Sequence, residues 1–158
     1  RLPEAQLDRF MIKTSIGSPD DAAMAQIFAG LSGGRRIVPE IVDLATLTTM
    51  ADLSRTAYVN PLVSDYITRI VNATRLATEV RLGASVRAAM SLARLAMTWA
   101  VSRGRTYVIP EDIVQLAVPA LAHRIVIDPE AEFDGVTAAG VIGQIVLDVP
   151  APKEAGTT

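Results

Sequence analysis

The sequence contains no cysteine, which excludes disulfide bonds, thiol nucleophiles and cysteine-based metal sites. Its single histidine, His123, cannot hold zinc without several carboxylate partners, and we predict no metal site in this chain. An excess of positive charge is also missing, because the net charge is −2 at pH 7 and the isoelectric point is near 5.4. Nucleic acid is therefore not a predicted partner, since binding to it depends on clustered Lys and Arg.

Long hydrophobic runs are missing as well. The longest apolar stretch, residues 86–101, is interrupted by Arg94, whereas a membrane-spanning helix needs about 18 largely apolar residues. We therefore predict no association with a membrane. Aromatic residues make up only 4% of the chain, so Ala, Val, Leu, Ile and Met must build the core. Small and aliphatic residues of this kind favour closely packed helices.

Apolar periodicity and capping residues predict a mainly α fold. Predicted helix starts are Ser18-Pro19, the region of Pro39, Asn60-Pro61, Ser85, Pro110 and Thr137. The clearest inward stripe belongs to the third helix and comprises Val63, Tyr66, Ile67, Ile70, Val71 and Thr74. The predicted inward residues of the second helix are Ile41, Leu44, Leu47 and Ala51, and those of the fourth are Val86, Met90, Ala93, Met97, Ala100 and Val101.

Three short segments have the composition of strands. Residues 10–16 alternate between apolar and polar side chains, which predicts one extended strand that ends at Gly17. Residues 57–59 and 106–109 each precede a proline-initiated helix, and the helices between them make a parallel two-stranded clip the natural pairing. Residues 32–36 are predicted to be a flexible connector, and the tail after Pro150 is predicted to fray.

Composition and periodicity alone predict no active site, but residues 2–10 (LPEAQLDRF) carry a specific signal. This stretch resembles the end of the ATPase core in MoxR-type AAA+ ATPases, where its arginine reaches the nucleotide of the adjacent subunit. The resemblance implies that Arg9 is a catalytic arginine finger acting in trans, which would stabilise negative charge in phosphoryl transfer. The alternative is that Asp8 and Arg9 form an ordinary surface ion pair.

Residues 83–88 (GASVRA) resemble the second-sensor motif of the same family, at the start of a lid helix. Family members more often have proline where this chain has Val86, a change that weakens pre-organisation of the first turn but leaves the arginine in place. The resemblance implies that Arg87 binds nucleotide, in cis or in trans, because phosphate is favoured at a helix N-terminus. The alternative is a solvated surface arginine.

The MoxR resemblance extends to about Pro150 and implies a domain organisation. Residues 1–17 would be the end of the AAA+ core, residues 18–150 the helical lid bundle with its two-stranded clip, and residues 151–158 a flexible tail. The nucleotide-binding lysine, the magnesium-binding acidic motif and the first sensor would lie upstream of Arg1, so this chain is expected to be inactive alone. No catalytic role is assigned to His123, which is expected to be structural or capping.

The family also implies partners and a setting for the complete protein. ATP and Mg²⁺ would be its cofactors. It would assemble into a homo-oligomeric ring, expected to be a hexamer, and its partners would be von Willebrand factor A domain proteins. Its work would be chaperone-like assembly or activation of protein complexes in the bacterial cytoplasm. The alternative function is that of a non-catalytic helical interaction module.

Overall fold

The structure, a computed structural model, describes residues 4–30 and 39–152 of the chain. The predicted connector at residues 32–36 and most of the predicted flexible tail lie outside these residues. The helices are α1 (Glu4–Leu7), α2 (Asp21–Gly30), α3 (Leu44–Ser54), α4 (Pro61–Leu76), α5 (Val86–Ser102), α6 (Pro110–Leu121), α7 (Pro129–Phe133) and α8 (Ala138–Asp148). Two strands, β1 (Val80–Leu82) and β2 (Val126–Ile127), and a 3₁₀ turn (Ala122–Arg124) complete the order. The mainly helical fold is confirmed.

Helix α4 forms as the sequence predicts. Asn60 caps it by accepting a hydrogen bond from the Leu62 N–H at 2.9 Å, and Pro61 occupies the first helical position. All six predicted inward residues are buried: Val63, Tyr66, Ile67, Ile70, Val71 and Thr74. A strong stripe on one face and polar residues on the other left only one orientation for this helix.

Helix α5 begins at the predicted cap and ends before Gly104, but its predicted inward face is wrong in part. The buried residues are Ala88, Ser91, Leu92, Ala96 and Ala100, whereas Val86 and Met90 are exposed. Because α5 packs against α3, α4 and α6, apolar residues occur on several of its sides and do not single out one face. Alanine at the closest contacts lets the neighbouring helices approach, which decided the orientation.

Helices α6 and α8 complete the core around α4 and α5. Ile113, Leu116 and Leu121 of α6 are buried, and the predicted inward residues Val141, Ile142 and Ile145 of α8 are all buried. Val114, also predicted to face inward, is 43% exposed. Thr137 caps α8 as predicted, accepting from the Gly140 N–H at 3.1 Å.

The two-stranded sheet is antiparallel and formed by segments that the sequence did not single out. Val80 pairs with Ile127, and Leu82 pairs with Val126. The predicted parallel pairing also exists, but only as an isolated bridge between Tyr58 and Tyr107. Each tyrosine lies shortly before a helix start. The bridge consists of two backbone hydrogen bonds, from Tyr58 N to Thr106 O and from Val108 N to Tyr58 O.

Residues 10–16 do not form the predicted strand. They have no regular secondary structure, and Phe10, Ile12 and Ile16 are exposed by 55%, 45% and 97%. One backbone bond ties the segment to the bundle, from Lys13 N to Pro119 O at 2.9 Å. A strand needs a neighbouring strand for its backbone groups, and none lies beside this segment in the part of the chain that the structure describes.

Helices α2 and α3 lie outside the core. Neither contains a buried residue, and the predicted inward residues Ile41, Leu44 and Leu47 are exposed by 92%, 79% and 54%. Both helices also start later than predicted. Asp20 caps α2, because its side chain accepts from Ala23 N, and Asp43 caps α3 by accepting from Thr46 N.

Candidate functional site

Arg9 lies just after α1, in a tight turn. The Arg9 N–H donates to Gln6 O at 3.2 Å, and the Phe10 N–H donates to Leu7 O at 3.1 Å. Its side chain is exposed and has no hydrogen bond or ion pair to another described residue. The surface ion pair between Asp8 and Arg9 that the sequence left open is therefore not formed, and the guanidinium is free to reach another molecule.

Arg87 is the second residue of α5 and is also exposed. Ser85 caps the helix, because its Oγ accepts from Ala88 N at 3.2 Å. In this position Arg87 lies beside the first N–H groups of the helix, which have no partner within it. The positive end of the helix dipole and the guanidinium together favour an anion at this end of α5.

The loop before α5 is fastened to the end of α4. Ala84 N–H donates to Thr74 Oγ1 at 2.9 Å, and Arg75 Nε donates to Ala84 O at 2.9 Å. Gly83 passes so close to α4 that an added Cβ would lie 2.6 Å from Arg75 Cγ and 2.7 Å from its Cα. These contacts fix the position of Ser85 and therefore of the start of α5.

Asp8 connects the segment that carries Arg9 to the helix that carries Arg87. Ser85 Oγ donates to the Asp8 carboxylate, with distances of 3.0 Å and 3.1 Å to its two oxygens. On its other side, Asp8 Oδ1 lies 3.9 Å from Nη1 of Arg124. Because Ser85 is the cap of α5, a single carboxylate links both sequence-predicted arginines to one end of the bundle.

Phe10 is held from the same side by two residues of the 3₁₀ turn. Its carbonyl oxygen accepts from Arg124 Nη2 and lies 2.9 Å from His123 Nε2. The side chain of Arg124 is fully buried. His123 Nδ1 and Arg124 Nη1 are buried and have no hydrogen-bond partner among the described residues.

Burial and two neighbouring charges act on the pKa of Arg124. Burial lowers the pKa of Arg124, the Asp8 carboxylate raises it, and the nearby Arg87 lowers it. An arginine remains protonated throughout the physiological range despite such shifts.

A shallow cavity of about 350 Å³ lies where these elements meet. Its lining comprises Leu7, Asp8, Leu82, Gly83, Ser85, His123, Arg124, Ile125 and Val126. Among the residues that the structure describes, no three Asp, Glu, Cys or His side chains are grouped so that they could hold a metal. The charged groups of this lining are the Asp8 carboxylate and the buried guanidinium of Arg124, whereas Arg9 and Arg87 do not line the cavity.

Sequence reasoning found Arg9 and Arg87 but missed what joins them. Asp8 was considered only as a surface partner of Arg9, and no role was predicted for Arg124. His123, to which no catalytic role was assigned, has its Nε2 atom 2.9 Å from the Phe10 carbonyl oxygen, and this contact was not foreseen. The available signal was an arginine within the largely apolar run at residues 121–125, because a charge in such a run is expected to be buried and a buried charge requires partners.

Comparison with known proteins identifies the relatives of this chain. Residues 72–145 match the AAA lid domain, and this match includes α5, α6 and the site residues Ser85, Arg87, His123 and Arg124 but not residues 8–10. The chain is 30% identical over 161 residues to the chaperone MoxR1 of Mycobacterium tuberculosis, covering 96% of this chain and 43% of that protein. The chain is therefore MoxR-like over nearly its whole length, and residues 72–145 resemble an AAA lid domain.

Two further relatives agree with that assignment. The MoxR-like chain is 31% identical over 155 residues to the uncharacterized protein YeaC of Bacillus subtilis, covering 97% of this chain and 48% of that protein. A crystal structure of a proposed ATPase from Cytophaga hutchinsonii matches with a TM-score of 0.85 and 31% identity, over 97% of this chain and 50% of the other. The MoxR-like chain thus spans about half the length of its relatives or less. No helix in its described part is long and apolar enough to cross a membrane.

Proposed function

We propose that this MoxR-like chain is the lid portion of an AAA+ ATPase and supplies two arginines to nucleotide sites. The observation that supports this most is the hydrogen bond between Ser85 and Asp8, because it brings the segment of Arg9 to the start of α5, where Arg87 lies. Both guanidinium groups are exposed there. Nucleotide and Mg²⁺ would be held mainly by an ATPase core outside this chain, which has no G-x-x-x-x-G-K-[ST] motif.

Arg9 would act on the transition state of ATP hydrolysis. Negative charge develops on the oxygens of the transferred phosphoryl group, and a guanidinium placed there by an adjacent subunit accelerates the reaction by roughly 10³–10⁵ in related phosphoryl-transfer enzymes. It is exposed and forms no ion pair with another described residue, which suits an arginine that reaches across a subunit boundary. A homo-oligomeric ring, expected to be a hexamer, would provide that boundary.

Arg87 would contact the phosphates of bound ATP in the ground state. The N-terminus of α5 adds its dipole and its free N–H groups to the charge of the side chain. The lid could thereby sense whether the terminal phosphate is present. The complete protein would use this cycle for chaperone-like assembly of other protein complexes in the bacterial cytoplasm, with von Willebrand factor A domain proteins as partners.

A second function, that of a helical interaction module, is favoured by the apolar residues exposed on α2 and α3. Ile27, Phe28 and Leu44 are exposed by 53%, 62% and 79%. Such residues commonly mark a surface that another protein or domain covers. This function would need neither arginine, so the same experiment separates the two proposals.

The experiment mixes two inactive variants of the complete ATPase. One carries Arg9→Ala and keeps its nucleotide site; the other carries a substitution of the nucleotide-binding lysine of the core and keeps Arg9. Each alone should lose turnover by at least two orders of magnitude. Mixed rings should regain activity, because each intact nucleotide site can then adjoin an intact Arg9.

The control is Arg103→Ala, at the far end of α5 and roughly 24 Å along the helix from Arg87. Arg103 is exposed and stacks on Trp99, so its loss should leave turnover nearly unchanged. If Arg9→Ala also left turnover unchanged, the proposed ATPase role of this residue would be wrong, and the interaction module would be favoured. If both parents were inactive but mixing restored nothing, the action in trans would be refuted.

A further inference from the structure

We infer that Asp8, Ser85, His123 and Arg124 form a latch that positions Arg9 relative to the lid, so that Arg9 and Arg87 move as one unit. The inference rests on the proposed role of Arg9 as a finger. The latch residues do not touch nucleotide in this proposal. They are positioning residues, and they act through the two neighbours of Arg9 in the chain.

The latch holds the backbone on both sides of Arg9. On one side, the Asp8 carboxylate accepts from Ser85 Oγ at 3.0 Å. On the other, the Phe10 carbonyl accepts from Arg124 Nη2 and faces His123 Nε2 at 2.9 Å. A residue fixed at both flanks has little freedom to reorient its backbone, although its side chain remains free to extend outward.

The burial of Arg124 favours the arrangement in which residues 8–10 contact the helical bundle. Its side chain is fully buried, and a buried guanidinium is tolerated only where acceptors surround it. The two acceptors that face it from the segment around Arg9 are the Asp8 carboxylate and the Phe10 carbonyl. If that segment left the bundle, Arg124 would lose both of them, so detachment is disfavoured.

The latch also connects the two arginines mechanically. Ser85 caps α5 through Ala88 N at 3.2 Å and donates to Asp8 at the same time. A rotation of α5 therefore moves Asp8, and Arg9 follows. In an ATPase ring, Arg9 would act at the nucleotide site of the adjacent subunit but would follow the lid of its own subunit. The two neighbouring nucleotide sites would thereby be coupled.

The test compares Arg124→Lys with Arg105→Lys. Arg105 makes a second partly buried pair in the same bundle, with bonds of 2.6 Å and 2.8 Å to Asp112, but it does not touch the latch. Both changes keep the charge and remove the planar fork of an arginine that pairs with an aspartate, at a side chain that is 0% exposed for Arg124 and 23% exposed for Arg105. A lysine at position 124 has one nitrogen and cannot span Asp8 and the Phe10 carbonyl together.

The first measurement is amide hydrogen exchange on the 158-residue chain, without nucleotide. Arg124→Lys should accelerate exchange of the Arg9 and Phe10 amides at least 10-fold, while amides in the middle of α4 remain protected. Arg105→Lys should leave the Arg9 and Phe10 amides unchanged. Equal exchange at these two amides in both variants and the wild type would overturn the latch, whatever the role of Arg9.

The second measurement uses mixed rings of the complete ATPase. Arg124→Lys should lower kcat at least 10-fold with less than a 3-fold change in KM for ATP. Mixing with the variant that lacks the nucleotide-binding lysine should restore activity, as is also expected for Arg9→Ala. A lid that is merely destabilised would not be restored by its neighbour, because its own nucleotide site would be damaged. If Arg9→Ala itself left turnover unchanged, that result would contradict the proposed function and not the latch.

The third arm separates Asp8 from general destabilisation. Asp8→Asn keeps an acceptor for Ser85 but removes the charge that faces Arg124, so it should show a smaller loss of kcat than Arg124→Lys in the same direction. Asp8→Ala removes both interactions and should equal or exceed Arg124→Lys. Wild-type kcat in Asp8→Ala would overturn the latch.

Discussion

Arg87 differs from an ordinary surface arginine through its place at the start of a capped helix. We expect Arg87→Ala to weaken ATP binding and slow turnover in the complete protein, with ADP binding changed much less because ADP lacks the terminal phosphate. Arg87→Lys should restore only part of both, since an ammonium cannot reproduce the planar fork. Titration calorimetry with ATP and ADP measures the first effect, and steady-state kinetics the second.

The alternative interpretation of Arg87, a solvated surface arginine, makes the opposite prediction. A solvated arginine without a ligand would leave ATP affinity, ADP affinity and turnover as they are in the wild type. Arg103→Ala provides that reference behaviour on the same helix. If Arg87→Ala matched it in all three quantities, Arg87 would be removed from the nucleotide site, and Arg9 would remain as the single proposed functional arginine.

Gly83 is the residue at which the loop before α5 tolerates no side chain. A Cβ would lie 2.6–2.9 Å from three atoms of Arg75, two of them backbone, so α4 or the loop must shift. We expect Gly83→Ala to destabilise the chain by about 1–3 kcal/mol in urea unfolding. Gly143→Ala is the matched control, because nothing lies within 4 Å of its Cβ inside α8, and it should be stabilising by about 0.5–1 kcal/mol.

At the scale of elements, the stability of α3 depends strongly on its cap, since none of its residues is buried. Hydrogen bonds from Thr46, first from its side chain and then from its backbone N–H, lower the pKa of Asp43. A lowered pKa in the folded state means that the cap contributes fully above the ordinary value of 3.8 and loses its contribution as pH falls through the folded value.

We therefore expect α3 to fray in acid before the buried helices unfold. Amide exchange or backbone chemical shifts of residues 44–54, followed from about pH 6 to about pH 2, measure this. In Asp43→Asn the cap should persist without a titrating carboxylate, so the transition should disappear from α3. An identical acid transition in both proteins would show that another group controls it.

The elements also show where sequence patterns suffice. Helix α4 has one apolar face and a cap followed by proline, and both its limits and its buried side were predicted. Helix α5 was predicted as a helix, but its orientation was not, because it lies among three neighbours. In α3 a regular apolar pattern indicated an inward face, yet none of its residues is buried although α5 lies beside it. Periodicity reports that a face is apolar, not what lies against it.

At the scale of the whole molecule, the chain is expected to be unable to complete the reaction by itself. It has no phosphate-binding loop, and its described residues provide no cluster of carboxylates for Mg²⁺. We expect the 158-residue chain to show no ATP hydrolysis and no tight ATP binding by calorimetry. Sub-micromolar affinity would contradict the proposed division of labour between this chain and an ATPase core. The complete protein, measured under the same conditions, is the positive control.

The sequence by itself determined the class of fold and the starts of four of the eight described helices, and its resemblance to a known family indicated the two candidate arginines. Those features depend on local chemistry: caps, prolines, apolar spacing and two short motifs. Only the tertiary structure decided which side of α5 is buried, that β1 pairs with β2, and that residues 10–16 form no strand. It alone also placed Asp8 between Ser85 and Arg124, because that contact joins residues 77 and 116 positions apart, and a separation of this kind is set by how the helices pack.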